Sequence, residues 1–181
     1  MSINFSYGKW LTHAFAHPVL VVDDEDFKRG EVAGIALANG FLCDYAKSAP
    51  EGWAKIVSNP TRYVMIVTDN SMPTEKNIGS DDYDYSSLEG LDLLDDNHRS
   101  VGGNEGLQLI RRIRQSPSLS SSEVIMYTGS GVRQQAEALG AKYIQQELYL
   151  LNDILREKSE LYDKAVQNPK KAKRKFWNFL K

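Results

Sequence analysis

The sequence predicts a doubly wound α/β fold, in which a five-stranded parallel sheet carries helices on both faces. Three short apolar runs carry that expectation. Val19-Leu20-Val21-Val22 ends in Asp23-Asp24-Glu25, and Tyr63-Val64-Met65-Ile66-Val67-Thr68 ends in Asp69, followed by Asn70-Ser71-Met72-Pro73. Val124-Ile125-Met126-Tyr127 ends in Thr128-Gly129-Ser130. Short, β-branched runs of this kind read as strands buried on both faces, each delivering polar groups to one edge of a parallel sheet. Acid, acid and hydroxyl at three strand ends suggest a site that holds a divalent metal beside a nucleophilic or ligating carboxylate.

The remaining elements follow in order. Residues 1–17 form a lead-in in which Trp10, Leu11 and Phe15 fit one helical stripe, and His17-Pro18 stops it. Phe27 to Ala38 is a helix with Val32, Ile35 and Ala36 inward, closed by Asn39-Gly40. Phe41 to Ala46 is a short second strand. Ala49 to Ser58 is a helix with Trp53, Ile56 and Val57 inward. After the third strand the pattern breaks. Residues 74–101 hold eight acids against Lys76 and Arg99, a net charge of −6. Only Ser87 to Leu94 has the pattern of a short amphipathic helix, and the rest is loop or disorder by composition. Gly106 to Gln115 is helical, with Leu107, Ile110 and Ile113 inward and Arg111, Arg112 and Arg114 outward. Ser116 to Ser122 is a polar loop. Val132 to Leu139 is a short helix closed by Gly140, Lys142 to Gln145 a brief fifth strand. Leu148 to Val166 is a long helix with Leu151, Ile154, Leu155, Leu161 and Tyr162 inward. Residues 170–181 carry five Lys and one Arg with no acid, together with Phe176, Trp177, Phe179 and Leu180. Strand order 2-1-3-4-5, the flavodoxin-like arrangement, places ligands outside the carboxyl ends of the strands. Right-handed crossovers then put helices one and five on one face and helices two to four on the other.

Composition bounds the function. A chain of 181 residues with 41% hydrophobic and 25% charged residues suits one globular domain, and a net charge of −2 creates no strong overall field. No run of about 18 apolar residues exists to span a membrane, and the N-terminus lacks a signal-peptide pattern. Cys43 is the sole cysteine, so no internal disulfide forms, and a cytoplasmic location is expected. Cys43 itself reads as a small buried hydrophobe. His13, His17 and His98 lack ligand spacing.

The motifs, taken together, resemble the receiver domain of two-component response regulators across residues 18–166. The matching pieces are Val21-Val22-Asp23-Asp24-Glu25, Asp69-Asn70-Ser71-Met72-Pro73, Gly103-Asn104-Glu105-Gly106-Leu107, Thr128-Gly129 and Gly140-Ala141. The resemblance implies Asp69 as phosphoacceptor from a phosphohistidine on a histidine kinase or phosphotransfer protein. It implies Mg²⁺ (or Mn²⁺) held by Asp24, Asp69 and the Ser71 carbonyl, with Asp23 acting through water. It gives Thr128 a phosphoryl contact and Tyr143 the place of an aromatic switch that reports to an unidentified downstream partner; a homodimer is compatible with this.

Two departures stand out. Receivers end strand five with Lys-Pro, and here the place reads Tyr143-Ile144-Gln145-Gln146-Glu147, so Gln146 or Glu147 stands where the lysine is expected. The acidic insert separates Met72-Pro73 from the Gly-containing turn that normally follows closely. Two other function classes stay open. One is a pseudo-receiver acting as an interaction scaffold. The other resembles the haloacid dehalogenase-like phosphatases through Asp24-Glu25-Asp26, although Lys28 stands where those carry Thr or Val. The basic stretch belongs to a tail, 167–181, read as a solvated helix end or a protein contact ahead of a nucleic-acid or anionic-membrane contact.

Overall fold

The computed structural model describes residues 18–72, 104–119 and 122–167. The lead-in 1–17, the insert 74–101 with its amphipathic stretch, and the tail from residue 168 lie outside the described residues. So do Pro73 and Gly103.

Five strands and five helices alternate. They are β1 (Val19–Val22), α1 (Asp26–Ala38), β2 (Cys43–Ala46), α2 (Ala49–Ser58) and β3 (Met65–Thr68). Then come α3 (Glu105–Gln115), β4 (Val124–Tyr127), α4 (Arg133–Ala138), β5 (Lys142–Ile144) and α5 (Leu148–Gln167). The strands pair in parallel in the order β2-β1-β3-β4-β5. This is the doubly wound order expected from the sequence.

The alternation of side chains along each strand divides the core into two layers. Leu20, Val22, Ile66, Val124 and Met126 point to the layer built with α2, α3 and α4. Val19, Val21, Met65, Val67, Ile125 and Tyr127 point to the layer built with α1 and α5. Both faces are therefore dry, which is why the strands read as unbroken apolar runs. Burying each such aliphatic side chain stabilises the fold by about 1.5–3 kcal/mol.

Helix ends follow local chemistry. Ser48 caps α2 by accepting the Glu51 amide at 3.3 Å, and Pro50 occupies the first turn, where its missing N–H costs nothing. Gly40 and Gly140, at φ 84° and 73°, turn the chain out of α1 and α4 in the left-handed region.

Several expected positions differ. Val57 is exposed at 45%, because the inward face of α2 runs through Ala49, Gly52 and Ile56, and Val57 lies a further 100° round. Leu161 is exposed at 44%. A 20-residue helix is about 30 Å long, whereas four-residue strands span about 13 Å, so the end of α5 outruns the sheet. The side chain of Tyr162 lies outside the described ones. Phe41 is buried against the α1–α5 layer but precedes β2, which starts at Cys43. Leu119 is fully buried in the otherwise polar loop after α3. Cys43 is only half-buried, yet burial pushes its thiol up to about 12, so it is inert as a nucleophile at neutral pH. Among the described residues no helix is long and apolar enough to cross a membrane.

Arg114 is the most consequential difference. It does not face outward. Its guanidinium donates to the carbonyls of Leu139 at 3.0 Å, Ser122 at 2.8 Å and Gly140 at 2.8 Å. One side chain thus ties α3 to the start of β4 and the end of α4, satisfying three loop carbonyls. Arg114→Met, which keeps the stem, should lower unfolding free energy by about 2–3 kcal/mol in a denaturant titration. Arg114→Lys should not restore it, because an ammonium cannot reproduce the planar fork.

Candidate functional site

Parallel pairing of β1 with β3 places Val22 opposite Thr68, and the Asp69 amide continues the ladder to the Val22 carbonyl at 2.9 Å. The next residues on the two strands are therefore neighbours, and they are Asp23 and Asp69. With Asp24 they form one cluster whose ligand oxygens lie within 4.8 Å of one another. Asp23 and Asp69 are 3% and 4% exposed, and Asp24 opens to solvent.

Each carboxylate is held differently. Asp23 Oδ1 accepts the Glu25 amide at 2.8 Å. Asp69 Oδ2 accepts the Ser71 amide at 3.2 Å, while Asp69 Oδ1 is buried with no hydrogen-bond partner among the described residues. A buried carboxylate oxygen without a donor is costly unless a cation or another group reaches it. Burial pushes the Asp23 carboxyl up to about 6; the Glu25 amide opposes this, Asp69 adds to it, Lys28 opposes it, and Asp24 adds a little more. Three oxygens from carboxylates that repel one another are a donor set suited to a hard divalent cation.

The turn after β3 is kept close by α3. A Cβ on Gly106 would stand 2.0 Å from the Asp69 carbonyl oxygen and 2.9 Å from Asn70 Cα. Only glycine lets the start of α3 pack on the backbone of the acid-bearing turn. Glu105, at 4% exposure, brings a fourth carboxyl to this region, with Oε2 buried and unpartnered. Burial raises its pKa above the ordinary value, the amides of Glu105 and Asn104 lower it, and Asp24 raises it further.

Thr128, at the end of β4, is buried. Its hydroxyl sits 3.0 Å from Ser130 Oγ and accepts the Ser130 amide at 3.3 Å. Tyr143 on β5 is also buried, and its hydroxyl donates to the Ser130 carbonyl at 2.6 Å and, more loosely, to the Thr128 carbonyl at 3.4 Å. The Arg133 guanidinium stacks 4.7 Å from the Tyr143 ring centre. The β4–α4 turn and β5 are thereby joined through one hydroxyl.

Gln146 follows β5 at φ 49°, and its side-chain oxygen lies 3.2 Å from where a Cβ on Gly129 would stand. Gln146 therefore rests on the Thr128-Gly129 turn. Glu147 is exposed and accepts the Tyr149 hydroxyl at 2.9 Å. Of the two candidates for the missing lysine's place, Gln146 is the one against the site's turn, and it brings no charge.

No protein-family model and no curated protein match the chain. Solved structures do. The chemotaxis response regulator CheY4 of Vibrio cholerae matches with a TM-score of 0.54 at 18% identity, over 78% of this chain and 97% of that one. A CheY-like receiver domain protein from Methanospirillum hungatei matches with a TM-score of 0.54 at 18% identity, over 82% and 97%. The phosphorylated cyanobacterial phytochrome response regulator RcpA matches with a TM-score of 0.52 at 16% identity, over 81% and 94%. The fold is the receiver-domain fold. Within this receiver fold, Asp23, Asp24 and Asp69 come together as expected, whereas Thr128 and Tyr143 meet each other through the Ser130 turn. Sequence reading passed over Glu105, which lies in a quoted motif, and treated Lys28 only as a mismatch to a phosphatase pattern.

The Asp23 carboxyl makes a pH prediction for the metal-free protein. Its folded value, about 6, exceeds an unfolded value near 4, so the folded state binds the extra proton between those values. Stability from this group is full below pH 4, falls as pH rises to about 6, and stays low above. Asp23→Asn should therefore match the parent near pH 4 and exceed it at pH 7 by up to about 3 kcal/mol in chemical denaturation with a chelator present.

Proposed function

We propose that this chain is a phosphoacceptor receiver module of a histidine-to-aspartate signalling system, with Asp69 as the phosphorylated residue. The observation that carries the reading is Asp69 itself. It ends the central strand with one oxygen fixed by the Ser71 amide, the other buried and unpartnered, and Asp23 and Asp24 beside it.

The chemistry follows from those positions. Asp69 Oδ1 attacks the phosphorus of a phosphohistidine. The P–N bond breaks, its electron pair stays on the imidazole nitrogen, and that nitrogen takes up one proton. The product is an acyl phosphate on Asp69. Unaided, this is slow, because a carboxylate is a weak nucleophile and two anions repel. Asp24, Asp69 and the Ser71 carbonyl would hold Mg²⁺, with Asp23 acting through water, and the bound ion would supply charge neutralisation to the transfer. Asp24, the exposed acid, suits a direct ligand, and buried Asp23 suits the hydrogen-bonded second position.

Thr128 is the proposed reporter. Its hydroxyl spends its bonding on Ser130, so engaging a phosphoryl oxygen means releasing Ser130. That release would loosen the Ser130 carbonyl that Tyr143 holds, and so carry a local charge event to the surface around β5. The insert 74–101 and the oppositely charged tail are proposed to choose the downstream partner. The role is signalling in the cytoplasm, with no turnover of outside substrates beyond self-catalysed phosphotransfer and dephosphorylation.

One observation favours a second reading. Gln146 supplies no cation at the turn where receivers place lysine, which suits a pseudo-receiver that binds partners without phosphorylation.

The test is direct. Acetyl phosphate with Mg²⁺ should give a single acid-stable, base-labile adduct on Asp69 by mass spectrometry, absent in Asp69→Asn and reduced at least tenfold in rate in Asp24→Asn. A metal-bound parent that forms no adduct with acetyl phosphate or beryllium fluoride supports the scaffold reading instead.

A further inference from the structure

Gln146 brings no charge to the Thr128-Gly129 turn, and a lysine stands in the helix that follows the β1 acids. Lys28 lies in the first turn of α1, which starts directly after the Asp23-Asp24-Glu25 run. Its ammonium pairs with Glu25 Oε1 at 2.6 Å, and its side chain is 22% exposed. Glu25 in turn is tied to the site through its amide on Asp23 Oδ1. Short links therefore run from Lys28 through Glu25 to Asp23, which adjoins Asp69 across the β1–β3 ladder.

The electrostatics of Lys28 is consistent with a place near the acids. Burial draws the Lys28 pKa down, but the Glu25 bond and then the fields of Asp69, Asp23 and Glu25 hold it above the ordinary lysine value. Burial and then Glu31 raise the pKa of the Tyr127 hydroxyl, which Lys28 lowers and Asp23 raises. Asp23 ends β1, Asp69 ends β3 and Tyr127 ends β4, and β3 lies between the other two. Geometrically, Lys28 stands in the first turn of the helix that leaves the acid-bearing end of β1, with most of its stem buried there.

We propose that Lys28 is the cationic partner of the phosphoryl group on Asp69, replacing from α1 the charge that Gln146 cannot supply from β5. The proposal rests on the receiver reading. The ammonium has three donors, so it can retain Glu25 while turning a second N–H to a phosphoryl oxygen. In the unphosphorylated protein it offsets part of the repulsion among the three acids, in competition with the divalent cation. A point charge on a flexible stem suits both duties.

Two measurements separate this proposal from the reading beneath it. The first is the rate of adduct formation on Asp69 with acetyl phosphate at saturating Mg²⁺. Lys28→Gln should slow it by at least tenfold, Lys28→Arg should keep most of it, and adding Gln146→Lys to Lys28→Gln should restore it. An unchanged rate in Lys28→Gln overturns the proposal while leaving Asp69 as phosphoacceptor. The second is Mg²⁺ affinity by calorimetry, which needs no phosphorylation. Removing a competing ammonium should tighten Mg²⁺ binding several-fold in Lys28→Gln. Equal or weaker binding there means that Lys28 does not face the acids, and the proposal fails. If the parent forms no adduct at all, the receiver reading fails and takes this proposal with it, whatever Mg²⁺ does.

Discussion

The backbone hydrogen bond from the Asp69 amide to the Val22 carbonyl, 2.9 Å long, is the constraint on which the rest depends. It extends the β1–β3 ladder one step beyond the strands and seats two acids side by side in a buried place. Every other feature of the site answers the resulting repulsion. The Glu25 amide binds Asp23, the Ser71 amide binds Asp69, and Lys28 lends charge from α1. What remains is one Asp69 oxygen with no partner among the described residues and an Asp23 carboxyl lifted to about 6, chiefly by burial and further by Asp69. A fold that concentrates like charge in this way stores a preference for cations and for groups that bring them.

That same ladder explains why the neighbourhood is so tightly built. The turn after β3 leaves no room for a side chain at the start of α3, so Gly106 lies against the Asp69 carbonyl. On the opposite side, the β4–α4 turn is gripped by the Tyr143 hydroxyl and floored by Gln146. Movement at Thr128 therefore has few ways to dissipate except toward β5. In the proposed function, the device is one hydroxyl exchanging its Ser130 partner for a phosphoryl oxygen.

Much of this was legible in the sequence, and the reason is locality. Strands buried on both faces announce themselves as short apolar runs, and whatever follows them must emerge at one sheet edge, so the sequence places Asp23, Asp24 and Asp69 together and Thr128 at the same edge. Helix α2 was legible to the residue because Ser48, Pro50 and Asn59 punctuate it. What was not legible depends on approach between distant segments. Arg114 reads as a surface residue until α4 brings carbonyls to it. Glu105 reads as a helix-start acid until the packing of α3 buries it. Lys28 reads as an ordinary first-turn lysine, and nothing in the sequence shows that its stem is largely buried and paired with Glu25. Val57 lies beyond the narrow inward face of α2, and Leu161 lies where α5 outruns the sheet, neither of which apolar periodicity reveals.

The central claim is that the paired acids are kept in tension until a cation relieves them. Carboxyl-carbon NMR of Asp23, titrated with pH in the presence and absence of Mg²⁺, tests it most directly. The account predicts a midpoint near 6 without metal and a midpoint moved below the ordinary carboxylate range with saturating Mg²⁺. An ordinary midpoint in the metal-free protein, or one that saturating Mg²⁺ leaves in place, would contradict it.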